Sequence, residues 1–336
     1  MNGFNLSDIT DTKFGNVQVS ELYFGSTKIW PLNHDYSQDY LTFEALESGN
    51  FTWTGTNNSN SIYYSIDDGS TWTQLTSGST TPTLNANDKI LFKASGLSVN
   101  SGIGKFSSAA RFNAMGNIMS LQDGDNFPNS TSISNNNQFQ NLFKGCTGLV
   151  DASNLILPAT TLTERCYSNM LQDCSSLTSA PALPATTLAP YCYYFMFIRC
   201  TSLTTAPALP ATTLANNCYE YMFNGCSSLT SAPALPATTL AVYCYGEMFM
   251  RCTSLTTAPE LPAATLANNC YSSMFSNCTS LNYVKCLATY VQGYGLHTYN
   301  WLQNVSASGT FVRYANTTWP SGANGIPSGW TIQNAS

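Results

Sequence analysis

Residues 209–234 decide the fold and read LPATTLANNCYEYMFNGCSSLTSAPA. The same frame recurs every 26 residues: the string LPATTL begins at Leu157, Leu183, Leu209 and Leu235, and the variant LPAATL begins at Leu261. A fixed period of this length indicates stacked structural repeats, each of which buries its apolar residues against its neighbours. We therefore predict a repeat architecture for the central part of the chain.

The repeats become irregular at both ends of the set. A degenerate copy follows the set at 281–287, and a degenerate half-copy precedes it. The link from this half-copy to the next copy is two residues longer than the other links. The constant residues of this half-copy are Phe139, Leu142, Phe143, Cys146 and Leu149. Terminal repeats are expected to differ from the rest because they cap the stack.

Within each copy the constant residues form the pattern Cys-Tyr-x-x-Met-Phe-x-x-Cys, which runs from Cys218 to Cys226 in the third copy. At about 100° per residue, the five constant positions fall within an arc of about 140°, and the six variable positions occupy the opposite side. This pattern predicts a short helix with a buried constant stripe. The segment Ser-Leu-Thr-Ser-Ala-Pro that follows predicts one brief strand, ended by proline.

These predictions combine into an α+β, multi-domain fold. Strands stack about 4.8 Å apart and helices about 8–10 Å apart, so the mismatch predicts a curved, leucine-rich-repeat-like solenoid with its helices on the convex side. The predicted domains are an N-terminal β attachment segment (1–35), a β-sandwich-like domain (36–130), the solenoid (131–287) and a C-terminal capping module (288–336).

The N-terminal third has the alternation typical of β-structure. Residues 17–31 alternate like a strand pair around Gly25 and Ser26, and several alternating runs between 40 and 120 predict the sandwich. The stretch 65–72, SIDDGSTW, matches the Asp-box pattern S-x-D-x-G-x-T-W. We interpret this single copy as a structural hairpin and not as an enzymatic feature.

The repeat motif carries a resemblance. The Phe-x-x-Cys-x-Ser-Leu core resembles the BspA-like leucine-rich repeats of surface proteins from gut bacteria, and the 26-residue variant resembles tandem arrays in proteins of gut bacteria and their phages. The likeness extends to 308–312 and 325–330, which resemble the closing module of that family, and the YFGSTKIWP stretch at 23–31 resembles starter segments of phage tail and fibre proteins. The resemblance implies an adhesive role.

Composition excludes several classes of function. Only 9% of the 336 residues are charged and the net charge is −6, whereas nucleic-acid-binding proteins need dense Lys and Arg. No run of about 18 apolar residues occurs, so no membrane span or membrane partner is expected. The first 15 residues lack the basic and apolar regions of a signal peptide. We therefore expect a virion or extracellular cell-surface protein.

The twelve cysteines lie between Cys146 and Cys286, ten of them in a Cys-x7-Cys frame. Positions eight apart on a helix are about 12 Å apart, beyond the reach of a disulfide. We expect buried free thiols, although bridges between neighbouring repeats remain geometrically open. The spacing does not suit a metal site and only two histidines occur, so no metal and no cofactor are predicted.

The sequence offers little for catalysis. Glu220 and Glu247 lie in adjacent copies, as a glycosidase pair would, but both occupy variable positions and are interpreted as solvated. Asp123 and Asp125 could ligate Ca²⁺, yet the distal glutamate is missing, and an ordinary turn is the simpler interpretation. No nucleophile or phosphate-binding motif occurs. We predict that the protein is not an enzyme.

The variable positions carry the functional signal. They draw on Tyr, Phe, Arg and Asn, as antibody binding surfaces do, while the frame barely changes. Neutral drift of solvent positions is the alternative, but drift should avoid exposed Phe195, Ile198 and Met250. The predicted ligand-binding residues are Tyr191, Tyr194, Phe195, Arg199, Asn216, Asn217, Glu220, Tyr221, Tyr243 and Arg251. A site in the sandwich, at Trp53 or Tyr64, is the competing location.

Two functions follow as hypotheses. The first is a non-enzymatic receptor-binding protein of a phage tail or fibre that recognises a bacterial surface glycan or protein through the variable helix face. Residues 1–35 would contact other virion proteins, and a homo-oligomer such as a trimer is compatible with this role. The second is a bacterial cell-surface leucine-rich repeat protein with an adhesive or structural role. A glycan-cleaving enzyme is a distant third.

Overall fold

The computed structural model describes residues 35–291, 297–315 and 317–335, together with four short strands nearer the N-terminus. The chain divides into two compact units, Met1–Tyr36 and Ser37–Ser336. In the first unit, β1 (Lys13–Phe14) pairs antiparallel with β2 (Val17–Gln18), and β3 (Leu22–Phe24) pairs antiparallel with β4 (Thr27–Trp30). The predicted strand pair is confirmed at β3 and β4, and the rest of the prediction for residues 1–35 lies outside the described residues.

The second unit begins with eight strands and a short helical segment. The strands are β5 (Leu41–Ala45), β6 (Thr52–Gly55), β7 (Ile62–Ser65), β8 (Thr73–Leu75), β9 (Lys89–Lys93), β10 (Gly104–Ser107), β11 (Phe112–Asn117) and β12 (Leu149–Ile156). Helix α1 spans Ser120–Asp123, and 3-10 helices span Tyr36–Gln38 and Gly124–Asn129. Six strands form one sheet in the order β12-β11-β5-β9-β7-β8, while β6 and β10 form a separate antiparallel pair.

The two sheets enclose an aromatic core. Phe43 of β5 lies 4.9 Å from Phe106 of β10 between ring centroids, and Phe92 of β9 lies 4.8 Å from the same ring. Trp53 is fully buried in this core and donates its indole N–H to the Asn60 carbonyl. The β-sandwich-like arrangement predicted for this region is therefore present. Phe143 of the first half-copy stacks on Phe106, so the repeats begin directly on this core.

The Asp-box stretch is a structural hairpin, as predicted. The Asp67 carboxylate accepts hydrogen bonds from the Ser65 hydroxyl and from both the backbone and the side chain of Thr71, and Gly69 has a φ of 84°. These bonds lower the pKa of Asp67 to about 2. Asp125, the candidate calcium ligand, accepts hydrogen bonds from Lys93 and from the Tyr40 hydroxyl.

The predicted helix in each repeat is wrong, and with it the α+β, leucine-rich-repeat-like solenoid. Strands account for 24% of the structure and helix for 4%, and α1 is the one α-helix among the described residues. It lies outside the 26-residue copies. The predicted strand after each helix is also wrong for most copies, where isolated parallel bridges such as Thr205–Ser231 replace it.

The Cys-Tyr-x-x-Met-Phe-x-x-Cys segments are instead chains of β-turns. In the third copy the amides of Cys218, Met222 and Cys226 each donate to the carbonyl three residues earlier. The third residue of each of these turns has a positive φ, at Asn217, Tyr221 and Gly225. A turn of this kind needs the left-handed region at that position. The segment therefore repeats every four residues, and not every 3.6.

Alternate amides of the same segment bond to the next copy. Tyr219 N–H donates to the Cys244 carbonyl at 3.1 Å, and Phe223 N–H donates to the Met248 carbonyl at 2.9 Å. Amides at even positions bond within their own turn, and those at odd positions bond 25 residues ahead. The turn segments are thus held together by backbone hydrogen bonds, as strands are. The spacing mismatch between helices and strands, on which the predicted curvature depends, does not arise.

Stacked aromatic rings fill the interior of the repeats. Consecutive tyrosine rings lie 5.7–6.2 Å apart between centroids, and consecutive phenylalanine rings lie 5.4–5.7 Å apart. The tyrosine stack extends at one end to Phe139 and at the other to Trp301 and Trp319. The buried constant stripe is therefore confirmed, although it belongs to turns and not to a helix.

All twelve cysteines are buried and none forms a disulfide, which confirms the expectation of free thiols. The second cysteine of each copy points back to the preceding copy: Cys226 Sγ donates to the Phe197 carbonyl at 3.1 Å, and Cys252 Sγ donates to the Phe223 carbonyl at 3.2 Å. Burial raises the pKa of Cys226 to about 12, so this thiol stays protonated and unreactive.

The chain closes with a parallel sheet. Its three strands lie in the order β13 (Tyr283–Cys286), β14 (Gly309–Arg313) and β15 (Trp330–Asn334). Strand β13 belongs to the degenerate last copy of the repeat. The Trp330 indole N–H donates to the Ser306 carbonyl. Within the compact unit, the predicted divisions 36–130, 131–287 and 288–336 stay predictions.

The phenylalanine stack makes a prediction for stability. Phe223 is fully buried between Phe197 and Phe249, so Phe223→Ala removes two ring contacts and leaves a cavity. We expect the free energy of unfolding to fall by about 3–5 kcal/mol, measured by urea denaturation. Thr212→Ala, at an exposed position of the same copy, is the control and should change stability by less than about 0.5 kcal/mol. If Phe223→Ala lowers the free energy of unfolding by less than about 1 kcal/mol, the Phe223 ring is not packed between Phe197 and Phe249 as the structure places it.

Candidate functional site

The variable side chains form columns on the outside of the turn segments. Each four-residue turn buries two constant residues. Of the variable pair that follows, the first residue is buried in several copies, as at Ser168, Glu220 and Asn224, and the second is at least partly exposed. The ladder places equivalent residues of successive copies beside one another. We call this surface the outer face. It carries the predicted ligand-binding residues, but as a face of turns, so the predicted helix face is corrected.

Bulky residues occupy strained backbone positions on the outer face. The second residue of each variable pair has a φ between 50° and 64° when it is not glycine. Asn and Gly tolerate the left-handed region, whereas other side chains are disfavoured there by about 1–2 kcal/mol. The large side chains held at such positions are Arg165, Tyr191, Phe195, Arg199, Tyr221, Tyr243, Glu247 and Arg251.

This strain argues against neutral drift at the positions that carry bulky side chains. Drift at a left-handed position should favour Asn or Gly, which the chain uses at Asn217, Gly225, Asn269 and Asn277. The second and fourth copies place aromatic, Arg and Glu side chains there at a cost in stability. Residues in strained backbone conformations cluster at functional sites.

Four of the aromatic residues touch one another across neighbouring copies. The Tyr194 and Phe195 ring centroids are 4.1 Å apart, Phe195 and Tyr221 are 4.5 Å apart, and Tyr191 meets Tyr194 edge-on at 5.4 Å. All four rings are partly exposed. We call Tyr191, Tyr194, Phe195 and Tyr221 the aromatic cluster. Such a surface can stack against sugar rings or pack against apolar groups.

Two carboxyl groups lie beside this cluster. Glu220 is only 8% exposed and accepts a hydrogen bond from the Asn217 amide at 2.6 Å, so its interpretation as a solvated residue is wrong. Burial raises the pKa of Glu220 to about 7, the Asn217 bond opposes this rise, and the charge of Glu247 adds to it. Burial also raises the pKa of Glu247, against a hydrogen bond from Tyr221 and the charge of Arg251.

The other predicted site residues have different surroundings. Arg199 forms an ion pair with Asp173 of the preceding copy, with an Nη2–Oδ2 distance of 3.1 Å, and so is already engaged. Asn216 is exposed and accepts the backbone N–H of Val242, which makes it part of the ladder. Arg251 is exposed at the edge of the face. The structure brings the aromatic and acidic residues together and leaves Arg199 and Asn216 in supporting contacts.

Sequence reasoning missed three contributors. Arg165 lies 4.3 Å above the Tyr191 ring, a cation–π contact, and also pairs with Glu164. Glu247 looks solvated from the sequence alone, and Gly246 occupies the same column as Tyr194 and Glu220 without a side chain. A Cβ atom added at Gly246 would lie 3.2 Å from Tyr243 and 3.4 Å from Glu220. Arranging the copies by the 26-residue period would have revealed all three neighbours.

The described residues contain no group of three or more His, Cys, Asp or Glu arranged to hold a metal ion. Trp53, the competing ligand contact, lies in the sandwich core and is closed to ligands. In the part of the chain that the structure describes, no helix has the length and apolar character to cross a membrane.

Comparisons with family models, with curated proteins and with solved structures found no match to this chain. The arguments about function therefore depend on the outer face itself.

The strained positions predict that one substitution stabilises the protein. Arg251 is exposed and left-handed, and Asn277 occupies the equivalent position one copy later. We expect Arg251→Asn to raise the free energy of unfolding by about 0.5–1 kcal/mol in urea denaturation, because Asn tolerates this backbone. Met250→Asn, at the neighbouring position outside the left-handed region, should not stabilise. If Arg251→Asn instead lowers the free energy of unfolding, the contacts of the Arg251 side chain stabilise the fold by more than its left-handed backbone destabilises it.

The buried carboxyl group predicts a pH-dependent stability. In the unfolded chain Glu220 loses its proton near its ordinary pKa of 4.5, whereas the folded protein keeps it until about pH 7. Between these values the folded state binds more protons, so the free energy of unfolding falls as pH rises and levels off above about pH 7. In Glu220→Gln, the free energy of unfolding should fall by about 2–3 kcal/mol less over this pH range than in the wild type. Urea denaturation from about pH 4 to 8 measures both profiles.

Glu260→Gln, at an exposed carboxylate outside the aromatic cluster, controls for the loss of a carboxyl group as such. If the Glu220→Gln and wild-type profiles stay parallel from pH 4.5 to about 7, Glu220 is not buried as the structure places it.

Proposed function

We propose that the protein is a non-enzymatic receptor-binding protein that attaches to a bacterial surface glycan or protein through the aromatic cluster and its neighbours on the outer face. The single observation that carries this proposal is the strain at the left-handed positions. Tyr191, Phe195 and Tyr221 occupy backbone that favours Asn or Gly, and they meet as one partly exposed cluster. Binding is the use that gives such residues a reason to persist.

The chemistry of the cluster suits a glycan. Sugar rings stack on aromatic faces, and Tyr hydroxyls and the Glu247 carboxylate can bond hydroxyl groups at the rim. The core beneath is rigid, because the turn segments are bonded to both neighbours and packed on stacked rings. A preformed surface loses little conformational entropy when a ligand binds.

The biological setting belongs to the same proposal. The low charge, the neutral polar composition and the sequence resemblance support a phage tail or fibre component, with a bacterial cell-surface protein as the alternative. The genes beside this one distinguish the two, since virion genes on either side would favour the phage assignment. Glycan cleavage needs two carboxyl groups that flank the scissile bond, and Glu220 is too buried to reach one. We therefore favour binding.

The test replaces Tyr194, Phe195 and Tyr221 together with Ser and measures adsorption of the purified protein to host cells. Hot-spot aromatics typically contribute about 1–2 kcal/mol or more each, so adsorption should weaken at least about tenfold. Unfolding by urea checks that the variant is folded.

The matched control replaces Thr186, Thr212 and Thr238 with Ala, three exposed residues on another face of the same copies. Wild-type adsorption by the folded Tyr194, Phe195 and Tyr221 variant would remove the outer face as the binding surface. Loss on replacing Tyr64 instead would place binding on the sandwich.

A further inference from the structure

A cavity of about 280 Å³ lies where the sandwich meets the first half-copy of the repeats. Two lysines line it, Lys105 of β10 and Lys144 of the half-copy, and none of the described residues in its lining is acidic. Thr54, Thr56, Ser101 and Asn141 add polar side chains, and two glycines complete the lining. Lys105, Thr54 and Ser101 are exposed, so the cavity is open to solvent.

Neither lysine forms an ion pair with a described residue. The ion pairs there join Lys93 to Asp125, Arg165 to Glu164, Arg199 to Asp173 and Lys285 to Glu260. The pKa of Asp173 is lowered first by its hydrogen bond from Arg199 and least by the charge of Lys144, so Lys144 is not its partner. The cavity therefore carries two positive charges without a counter-charge, on a chain whose net charge is −6. An anion bound between two like charges would stabilise both.

The walls of the cavity are joined by contacts between the sandwich and the half-copy. The Phe106 amide donates to the Leu142 carbonyl at 2.8 Å. The Asn141 side-chain amide donates to the Ser101 carbonyl at 3.3 Å. These residues lie close to the two lysines in the chain, so the lysine backbones are fixed on both sides. An anion would therefore meet a preformed site, which lowers the entropic cost of binding.

The cavity also lies in line with the aromatic cluster, at the N-terminal end of the outer face. Asn141 is the second residue of a variable pair and has a φ of 64°, the position that Phe195 occupies in its own copy. The backbone ladder runs from the Asn141 amide to the Ser168 carbonyl, and from the Asn169 amide to the Tyr194 carbonyl. Two copies spaced as strands are, about 4.8 Å each, separate the cavity from the cluster by about 10 Å. A glycan of a few sugar residues can contact both.

Resting on the proposed function, we propose that this cavity binds an anionic substituent of the receptor glycan, a sugar carboxylate or a phosphate, while neighbouring sugar rings contact the aromatic cluster. Lysine ammonium groups form charge-assisted hydrogen bonds with the oxygens of both anions. The Thr54 and Ser101 hydroxyls line the same cavity and can donate to the remaining oxygens. The receptor is therefore an acidic polysaccharide, and its charged group sets the register of the chain on the outer face.

The experiment uses two matched pairs of probes with the full chain at about 50 mM salt, where screening is weak. Tetramers of galacturonic acid and of galactose differ only in the carboxylate at C6. Glycerol 3-phosphate and glycerol differ only in the phosphate. Calorimetric titration should give at least about tenfold tighter binding of the charged member in one of the pairs. The pair that shows this preference identifies the anion as a carboxylate or as a phosphate.

The variants separate the charge of the cavity from its shape. Replacing Lys105 and Lys144 together with Gln removes both charges and should abolish the preference for the charged probe. Replacing both with Arg keeps the charges and should retain the preference, because Arg also bonds carboxylate and phosphate. Lys89→Gln, at an exposed lysine outside the cavity, is the control and should retain it as well. Urea denaturation checks that each variant is folded.

The anion inference is overturned if neither charged probe binds more tightly than its neutral partner, or if the double Gln variant keeps the preference. Adsorption to host cells then tests the proposed function separately. If adsorption still depends on Tyr194, Phe195 and Tyr221 in that case, the proposed function survives and only the acidic character of the ligand is wrong.

Discussion

The alternating backbone hydrogen bonds of the turn segments are the constraint on which the rest of the structure depends. From Asn217 to Cys226, even-numbered amides close turns within the copy and odd-numbered amides bond the copy ahead, while even-numbered carbonyls accept from the copy behind. Buried backbone groups must be paired, and this scheme pairs them only when neighbouring copies are present. A single copy has no stable form of its own, and the 26-residue period keeps every donor opposite its acceptor.

The same constraint separates the interior from the outer face. Each turn buries two side chains, so the tyrosine, phenylalanine, methionine and cysteine positions stack with their equivalents in continuous columns. The two residues that follow do not belong to the stacked columns of the core, and their chemistry changes from copy to copy. One of each pair is nevertheless restricted by its left-handed backbone, which makes a bulky residue such as Phe195 informative.

The candidate site exists only between copies. Tyr194 and Phe195 belong to the second copy, Glu220 and Tyr221 to the third, and Glu247 to the fourth. Glu220 is buried because of these neighbours, and its raised pKa is a consequence of the stack and not of its own segment. Variation at one position in one copy therefore changes the surroundings of residues 26 positions away, which suits a surface that adapts to different ligands on a fixed frame.

The sequence by itself determined the period, the buried stripe, the free thiols and which positions vary between copies, because these follow from spacing and polarity alone. It did not decide between a helix and a chain of turns. Over the eight steps from Cys218 to Cys226, periods of about 3.6 and 4.0 differ by about 80°, and both place the constant residues on one side. The strict four-residue spacing and the Asn and Gly at 217, 225, 269 and 277 were signals for turns. Only the tertiary structure decided the matter, because half of the turn amides find their acceptors in another copy. The burial of Glu220 likewise depends on side chains 26 residues away in the chain, which no local pattern contains.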